Sequence, residues 1–179
     1  MLRASAAPRR SLAGVSGTVT HERYSQTVTV KVPSKGTRGV PFPHFLMRLG
    51  NRMVIRQFRR RGMRTGGRVA SLLLETQGAK SGKTRLALLG YVDEGGGSWL
   101  VIASAAGASW HPAWLYNLAH QPEATIEFDD GRRVPVRAQT LEGRELEEAW
   151  ARIATDAPEY VAYRSKTDRD IPVIRLRQR

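Results

Sequence analysis

The sequence predicts an α+β fold in which a largely antiparallel β-barrel carries helices on its outside. Short apolar segments follow one another with tight turns between them, which is typical of strands joined by hairpins. Amphipathic helical patterns occur at the flanks of these segments. A hydrophobic content of 41% over 179 residues is enough for one core, so we expect a single domain with an N-terminal extension.

Positive charge is concentrated at the start of the chain. Met1–Arg68 holds 15 Lys or Arg and a single acid, Glu22, whereas Val69–Arg179 holds 14 basic and 15 acidic residues, so the net charges are +14 and −1. A protein that reads nucleic acid needs its basic patch on the folded surface, so we do not expect nucleic acid as a partner. We expect residues 1–39 to form a basic, flexible extension and residues 40–179 to form the domain.

The domain is predicted to begin with a basic amphipathic helix at about residues 42–61. Apolar side chains recur on one face and arginines on the other, as follows: Phe42, Phe45, Leu46, Leu49, Met53 and Phe58, then Arg48, Arg52, Arg56, Arg59 and Arg60. Such a helix can pack on the domain or rest on an anionic membrane, and the two roles are compatible. No segment is apolar enough to span a membrane. We expect a cytoplasmic protein with possible peripheral contact at the inner face of the membrane.

The later elements follow from alternating apolar residues and from turn residues. Strands are predicted at Ser71–Thr76, Leu86–Val92, Ser98–Ala103, Thr125–Phe128, Arg133–Ala138 and Ile171–Leu176. Helices are predicted at His111–His120, with Ser109 as N-cap, and at Leu141–Ala154, where acids fill the first turns. Pro135 predicts that its strand runs along a sheet edge, because proline cannot donate to a ladder.

The densest functional pattern is Gly78-Ala-Lys-Ser-Gly-Lys-Thr-Arg85. Two glycines allow a tight turn with exposed N–H groups, and the lysines, the arginine and the serine add donors that suit a phosphate or phosphodiester. A P-loop is excluded, because only three residues separate Gly78 from Gly82 and a strand follows. A solvated basic turn is an equally good interpretation of these residues alone.

A second pattern runs from Ala103 to Pro122. A strand ends there in small residues, Ala103 and Ser104, which leave room for a planar ligand beside the backbone. Asn117 follows in the middle of a predicted helix. Because asparagine lowers helix propensity, we expect its side chain to bond another group.

These two segments, with Tyr160-x-x-Tyr163-x-x-x-Thr167-x-Arg169-x-Ile171-Pro172, resemble the deazaflavin (F420)-dependent nitroreductase family, which includes the F420H2-dependent quinone reductases of actinobacteria. The resemblance covers roughly Pro41 to Leu176. It implies a split β-barrel related to flavin-mononucleotide oxidoreductases. It also implies an oxidoreductase that transfers a hydride from reduced F420 to a quinone-like or nitroaromatic acceptor.

The resemblance further implies roles for individual residues. The coenzyme would be held by the basic turn, through Gly78, Lys80, Ser81, Gly82 and Arg85. Its ring would be lined by Ala103 and Ser104, with Asn117 as a further contact. The acceptor pocket would be bordered by Tyr160 and Tyr163, either of which could hydrogen-bond the acceptor's oxygen and relay a proton.

The chain departs from the family pattern at three places. The family often shows Lys-Gly-Gly where this chain has Ala105-Ala106-Gly107, and Asn-Pro where it has Ala87-Leu88. Ala157 replaces the first aromatic residue of the tyrosine cluster, which leaves the identity of the acceptor open.

Two alternatives remain at this stage: a split-barrel oxidoreductase that binds flavin mononucleotide (FMN), and a non-enzymatic module that binds membrane or nucleic acid. No metal site is expected, because the chain has no cysteine and its four histidines lack ligand spacing. The sequence gives no prediction of oligomeric state.

Overall fold

The computed structural model describes residues 29–41, 53–60, 64–65 and 69–179. Its strands are β1 (Arg64–Thr65), β2 (Val69–Gln77), β3 (Thr84–Gly95), β4 (Ser98–Ile102), β5 (Glu123–Glu127), β6 (Arg133–Thr140) and β7 (Val173–Gln178). Its helices are α1 (53–60), α2 (Ala113–His120), α3 (Gly143–Asp156) and α4 (Glu159–Arg164), and a short 3-10 helix spans Ala105–Gly107.

Six of these strands form a closed antiparallel barrel. The strand order is β2-β3-β4-β7-β6-β5, and β5 pairs again with β2, while β1 lies beside β2. Every pairing is antiparallel. Helices α1, α3 and α4 pack on the outside of the barrel, whereas α2 contributes Trp114, Leu115 and Leu118 to the interior cluster. The predicted α+β split-barrel class is confirmed.

The alternation of side chains along the strands decides which face each one covers. In β6, Val134, Val136 and Ala138 are buried in the interior while their neighbours are exposed. Strand β2 is apolar on both faces, because Leu72 and Leu74 point into the barrel and Leu73 packs outward. A separate cluster beneath α3 and α4 covers the outside of β4.

The helical residues 53–60 are the described part of the predicted helix over 42–61, and the rest of that prediction lies outside the described residues. Ile55 and Phe58 are buried against Leu73, so this part of the helix packs on the barrel. Met53, which was assigned to the apolar face, is 74% exposed and that assignment is wrong. The buried side of α1 is the one that faces β2. No helix among the described residues has both the length and the apolar character needed to cross a membrane.

The barrel closes at a short seam between β2 and β5, which we call the barrel seam. Its ladder consists of three residue pairs: Leu73 with Glu127, Leu74 with Ile126, and Glu75 with Thr125. Arg59 of α1 donates two hydrogen bonds of 2.6 and 2.7 Å to the carboxylate of Glu127. Arg133 of β6 pairs with Glu75 of β2 at 2.7 Å. Two ion pairs therefore reinforce the seam from outside.

Pro135 does not lie at a sheet edge, and that prediction is wrong. Strand β6 is paired on both sides, with β5 and with β7. Pro135 lies opposite Thr125 of β5, while the ladder to β7 begins one residue later, at Val136 opposite Gln178. The carbonyl of Pro135 still accepts a hydrogen bond from the Arg179 amide at 3.1 Å. The missing N–H thus falls just outside the ladder, where a proline is tolerated.

The predicted N-cap of α2 is wrong. Helix α2 begins at Ala113 with Pro112 at the N-cap and no side-chain cap, so Ser109 does not cap it.

Helix α4, which carries both candidate catalytic tyrosines, was not predicted. Its six residues are too short for a clear apolar period in the sequence.

Residues 29–41, which we call the strap, have no regular secondary structure but lie against the barrel. Val30 is buried in the interior cluster. The amides of Gly36 and Val40 donate to the carbonyls of Ser109 and Gly107, both at 2.9 Å. The described part of the predicted extension therefore packs on the domain. The division at residue 39 stays a prediction, because residues 1–28 lie outside the described residues.

Candidate functional site

Strand β3 is longer than the partner that covers it. Its ladder with β4 runs only from Tyr91 to Gly95, and β3 continues back to Thr84. After Ile102 the chain leaves the wall and enters the 3-10 turn Ala105–Gly107. The predicted site residues lie on the elements around this uncovered half of β3, so the barrel wall is interrupted where the sequence places the coenzyme.

The first of these elements is the basic turn, residues 78–85, which runs from the end of β2 into the start of β3. The Gly78 amide donates to the Lys83 carbonyl at 2.9 Å, and the amides of Ser81 and Gly82 donate to the Gly78 carbonyl at 3.0 and 2.8 Å. A Cβ at Gly78 would lie 2.9 Å from the Ser81 hydroxyl oxygen. Gly82 has φ +62, a conformation that favours glycine. Both glycines are therefore required by the shape of the turn.

Asn117 of α2 holds the basic turn in place through its side-chain amide. Its side chain is buried in α2, where its Oδ1 accepts from the Ala79 amide at 3.1 Å and its Nδ2 donates to the Thr76 hydroxyl at 3.0 Å. These bonds explain an asparagine in mid-helix. The structure thus gives Asn117 contacts with protein groups at both ends of its amide, and its predicted contact with the coenzyme stays a prediction.

The basic turn carries cations without carboxylate partners. Lys80, Lys83 and Arg85 are exposed, and among the described residues none of them forms an ion pair. Arg85 donates only a long bond of 3.4 Å to the Ser81 hydroxyl. These donors are free to meet an external anion, so the turn fits a phosphate-bearing ligand.

Ala103 and Ser104 are brought to the same opening at the end of β4, but both are buried. Their carbonyls accept hydrogen bonds from the guanidinium of Arg169 at 3.0 and 2.7 Å. The exposed residue at this place is Ala106, in the turn that follows. A ligand in the opening would therefore meet the turn first. The sequence placed Arg169 in a motif but gave it no role, since all of its side-chain partners except Asp170 lie 58 to 66 positions away in the chain.

The two tyrosines of α4 occupy different environments. Tyr160 is buried in the cluster under α3 and α4, and burial raises the pKa of its hydroxyl, an effect that the adjacent Gly90 backbone opposes. Tyr163 is half-buried and lies edge-on to Tyr160, with the ring centres 5.9 Å apart. The Lys166 ammonium lies 5.1 Å from the Tyr163 ring centre. Of the two tyrosines, Tyr163 is the more accessible.

These contacts connect the candidate site residues around one opening. The basic turn is joined to α2 through Asn117, and α4 lies against Gly90 of β3 and against the 3-10 turn. A shallow polar depression of about 270 Å³ lies elsewhere, at the end of the barrel between β2 and β5. Its lining includes Thr76, Gln77, Thr84, Glu123 and Arg179 but none of the predicted catalytic or coenzyme residues.

Comparison with known proteins identifies the chemistry. A sequence profile of the F420H(2)-dependent quinone reductase family matches residues 50–178. The chain belongs to this family. The predictions of an oxidoreductase and of F420 as its coenzyme are thereby confirmed, and both the FMN alternative and the non-enzymatic alternative are disfavoured.

Individual relatives agree with the family assignment. The chain is 34% identical over 121 residues to an F420H(2)-dependent quinone reductase of Mycobacterium tuberculosis, which covers 66% of this chain and 80% of that protein. A second M. tuberculosis protein, provisionally named as the same type of reductase, is 38% identical over 111 residues, covering 62% and 92%.

Solved structures of similar proteins share the barrel. An F420-H2 dependent reductase, FDR-A, is 37% identical with a TM-score of 0.53 and covers 59% of this chain and 92% of its own. Another structure, described as a domain-swapped dimer, is 31% identical with a TM-score of 0.55 and covers 75% and 99%. The family match begins after the strap, so residues 29–41 are a feature of this chain outside the matched region.

Proposed function

We propose that this chain of the quinone reductase family passes a hydride from reduced F420 to a quinone-like acceptor, and that nitroaromatic compounds serve as a second acceptor class. The observation that carries the proposal is the basic turn, whose three cations and one hydroxyl face outward without carboxylate partners. The coenzyme supplies the hydride when it is bound. The protein's task is to bind, orient and exclude water.

In this proposal the basic turn holds the coenzyme's phosphate. Lys80, Lys83 and Arg85 donate charged hydrogen bonds, and Ser81 adds its hydroxyl. Asn117 keeps the turn in place through its bond to the Ala79 amide. The turn Ala105–Gly107 borders the ring, where small side chains leave the backbone accessible.

A quinone that accepts a hydride also needs a proton on its oxygen. We assign hydrogen bonding to that oxygen to the Tyr163 hydroxyl, because Tyr163 is the more accessible of the two tyrosines. Tyr160 is buried with a raised pKa, so it stays protonated and supports the Tyr163 ring edge-on. The acceptor pocket is thus formed by α4 together with the 3-10 turn.

The first experiment titrates the full chain separately with F420 and with FMN and follows coenzyme fluorescence. We expect tight binding of F420 and weak binding of FMN, and then F420H2 oxidation with a naphthoquinone and with a nitroaromatic compound. Preference for FMN would overturn the coenzyme assignment, and turnover with neither acceptor would overturn the acceptor assignment.

The tyrosine roles are tested by replacing each with phenylalanine. We expect Tyr163→Phe to lower kcat about 100-fold or more with little change in F420 affinity, in the range of one general acid. Tyr160→Phe serves as the matched control and should retain most of the turnover. Unchanged turnover in both variants would remove tyrosine from the mechanism.

Contact with an anionic membrane is a separate proposal. Arg56 and Arg60 of α1 are exposed, whereas Arg59 is engaged by Glu127 and contributes less. Co-sedimentation of the full chain with phosphatidylglycerol liposomes, lost in Arg56→Glu/Arg60→Glu, would support it. An absence of binding by the unmodified chain would refute it. A cytoplasmic location stays a prediction.

A further inference from the structure

The turn after β4 has an unusual backbone. Ala105, Ala106 and Gly107 all have positive φ, at +44, +55 and +83. Two consecutive alanines in the left-handed region carry a conformational penalty, because their Cβ atoms crowd the backbone there. Something outside the turn must therefore hold it in this shape.

The buried guanidinium of Arg169 is the group that brackets this turn. Its Nε donates to the Ala108 carbonyl at 2.8 Å, and its Nη2 donates to the carbonyls of Ala103 at 3.0 Å and Ser104 at 2.7 Å. Two of these acceptors precede the turn and one follows it. A single planar group thus fixes both ends of the turn at once.

The remaining two donors of Arg169 are also used. Its Nη1 lies 3.1 Å from the Asp170 carbonyl and 3.1 Å from Nδ1 of His111. All five N–H groups of the side chain are accounted for, and among the described residues no carboxylate pairs with it. Arg169 is 6% exposed, so a positive charge is buried without an anion. Burying a charge without an anion has a desolvation cost, so general stability does not explain this residue. The carbonyls that Arg169 binds on both sides of the turn point to a role in shaping it.

The strap closes the other side of the same turn. His111 accepts from Arg169 through Nδ1, so its Nε2 carries the hydrogen and donates to the Ser34 carbonyl at 3.2 Å. The Val40 amide donates to the Gly107 carbonyl at 2.9 Å. The turn is thus held between Arg169 and the strap.

We propose that Arg169 is a positioning residue for the coenzyme site: it holds Ala105–Gly107 in a left-handed turn so that this backbone faces the bound ring. The inference rests on the proposed function in one respect, namely that this turn borders the coenzyme. Lysine cannot replace Arg169, because one ammonium cannot reach acceptors at both ends of the turn.

The test uses Arg169→Lys in the full chain, with two readouts. The first is hydrogen–deuterium exchange of the amides of Gly107 and Ala108, which donate within the turn at 2.9 and 3.0 Å. We expect their exchange to accelerate at least about tenfold while the barrel strands are unchanged. The second is F420 affinity, which we expect to fall at least about tenfold.

Arg175→Lys is the matched control, because Arg175 is also largely buried but is paired with Glu94 and Glu145. It should lower the melting temperature and leave both readouts unchanged. Equal loss of F420 affinity in both variants would indicate general destabilisation and would overturn the proposal.

Relief of the strain gives a second, independent test. Ala105→Gly/Ala106→Gly removes the penalty for positive φ, so we expect it to restore a large part of the F420 affinity and amide protection that Arg169→Lys loses. The same pair in the otherwise unmodified chain is the reference against which this recovery is measured. If the changes in F420 affinity caused by the glycine pair and by Arg169→Lys simply add in the combined variant, the proposal is overturned.

The outcomes separate this inference from the proposed function. If the unmodified chain binds no F420, the proposed function fails, and the exchange measurement still decides whether Arg169 holds the turn. If the unmodified chain and Arg169→Lys bind F420 equally, only this inference fails. Should Arg169→Lys not fold, Arg169→Gln removes the charge as well as the bracketing donors, and unchanged exchange at Gly107 in that variant would refute the proposal.

Discussion

Two regions of the barrel use the same cationic side chains in opposite ways. On the wall formed by β3, β4 and β7, Arg175 donates to Glu94 at 2.6 and 2.9 Å and to Glu145 at 2.6 Å, so its charge is neutralised by the protein. At the basic turn, Lys80, Lys83 and Arg85 are left without carboxylates. The paired charges stabilise the wall, whereas the unpaired charges of the basic turn are free to meet a ligand.

The contrast shows why a net charge is a poor guide to a binding site. The net charge of −1 over Val69–Arg179 argues against a broad nucleic-acid surface, which stays a prediction. It also concealed a local excess of cations, because paired arginines on the walls cancel in the sum. Only the positions of the acids distinguish a neutral wall from a cationic turn.

The largest effect should come from removing the unpaired cations. We expect Lys80→Ala/Arg85→Ala to weaken F420 binding by about 100-fold or more, since each charged hydrogen bond contributes about 1.5–3 kcal/mol. Fluorescence titration at two salt concentrations measures it, and the loss should be accompanied by a weaker salt dependence.

Arg137→Ala is the control, because Arg137 is exposed like the cations of the basic turn but pairs with Glu123 across β6 and β5 at 3.6 Å. It should bind F420 as the unmodified chain does. A similar loss of affinity in the control would mean that the total charge, and not the basic turn, attracts the coenzyme.

A smaller effect, on stability alone, is expected on the paired wall. Burial would raise the pKa of Glu94, but hydrogen bonds from Arg175 and Ser98 lower it overall. Its stabilising contribution is therefore present above the pKa of an unfolded glutamate and is lost as the pH falls toward the folded value. We expect Glu94→Gln to lower the free energy of unfolding by about 2 kcal/mol at neutral pH, between the values for exposed and buried pairs.

Urea denaturation measures this change, with Glu148→Gln as control. Glu148 pairs with Arg144 within α3 and both side chains are largely exposed, so that variant should lose less than about 0.5 kcal/mol. Reduced F420 affinity in Glu94→Gln would contradict the expectation that the paired wall affects stability alone.

The smallest effect concerns pH and the strap. Burial lowers the pKa of His111, and Arg169 and Lys35 lower it further, while the Ser34 and Pro33 carbonyls oppose them. An unfolded histidine, with a pKa near about 6.5, then binds protons more readily than the folded one, so stability is lost as the pH falls below that value. The edge-on ring of Tyr116 completes its surroundings.

Glutamine can accept from Arg169 and donate to Ser34 without titrating. Between about pH 7.5 and about pH 5, we therefore expect the free energy of unfolding to fall less in His111→Gln than in the unmodified chain. Equal losses would show that groups other than His111 control the acid response of this part of the molecule. The pKa of Asp168 is lowered to about 2 by the Thr37 hydroxyl and the Arg38 amide, so its contribution disappears only in stronger acid.

Local patterns predicted most of the strands and the long helix, because turn residues and side-chain alternation act over a few positions. The acids at the start of α3 and the turn residues Asp129, Asp130 and Gly131 are examples. The basic turn was also found from sequence, since all of its residues are contiguous.

Features that depend on distant partners were not predictable. The strap is held by backbone hydrogen bonds and by Asp168, which leave no apolar period in residues 29–41. The role of Arg169 depends on carbonyl groups, which every residue carries. The edge-strand prediction for Pro135 was wrong, because a proline is tolerated in this paired strand only by virtue of where the ladder between β6 and β7 ends.

The barrel seam has a mechanical consequence. Its three residue pairs join residues about 50 positions apart in the chain, so closing the seam carries a loop-closure cost that few contacts repay. Helix α1 contacts both sides of it, through Phe58 against Leu73 and Arg59 against Glu127. Helix α1 therefore bridges the two strands of the seam. We expect a force applied to the chain ahead of α1 to detach this helix first and then to separate β2 from β5, before the longer strand ladders open.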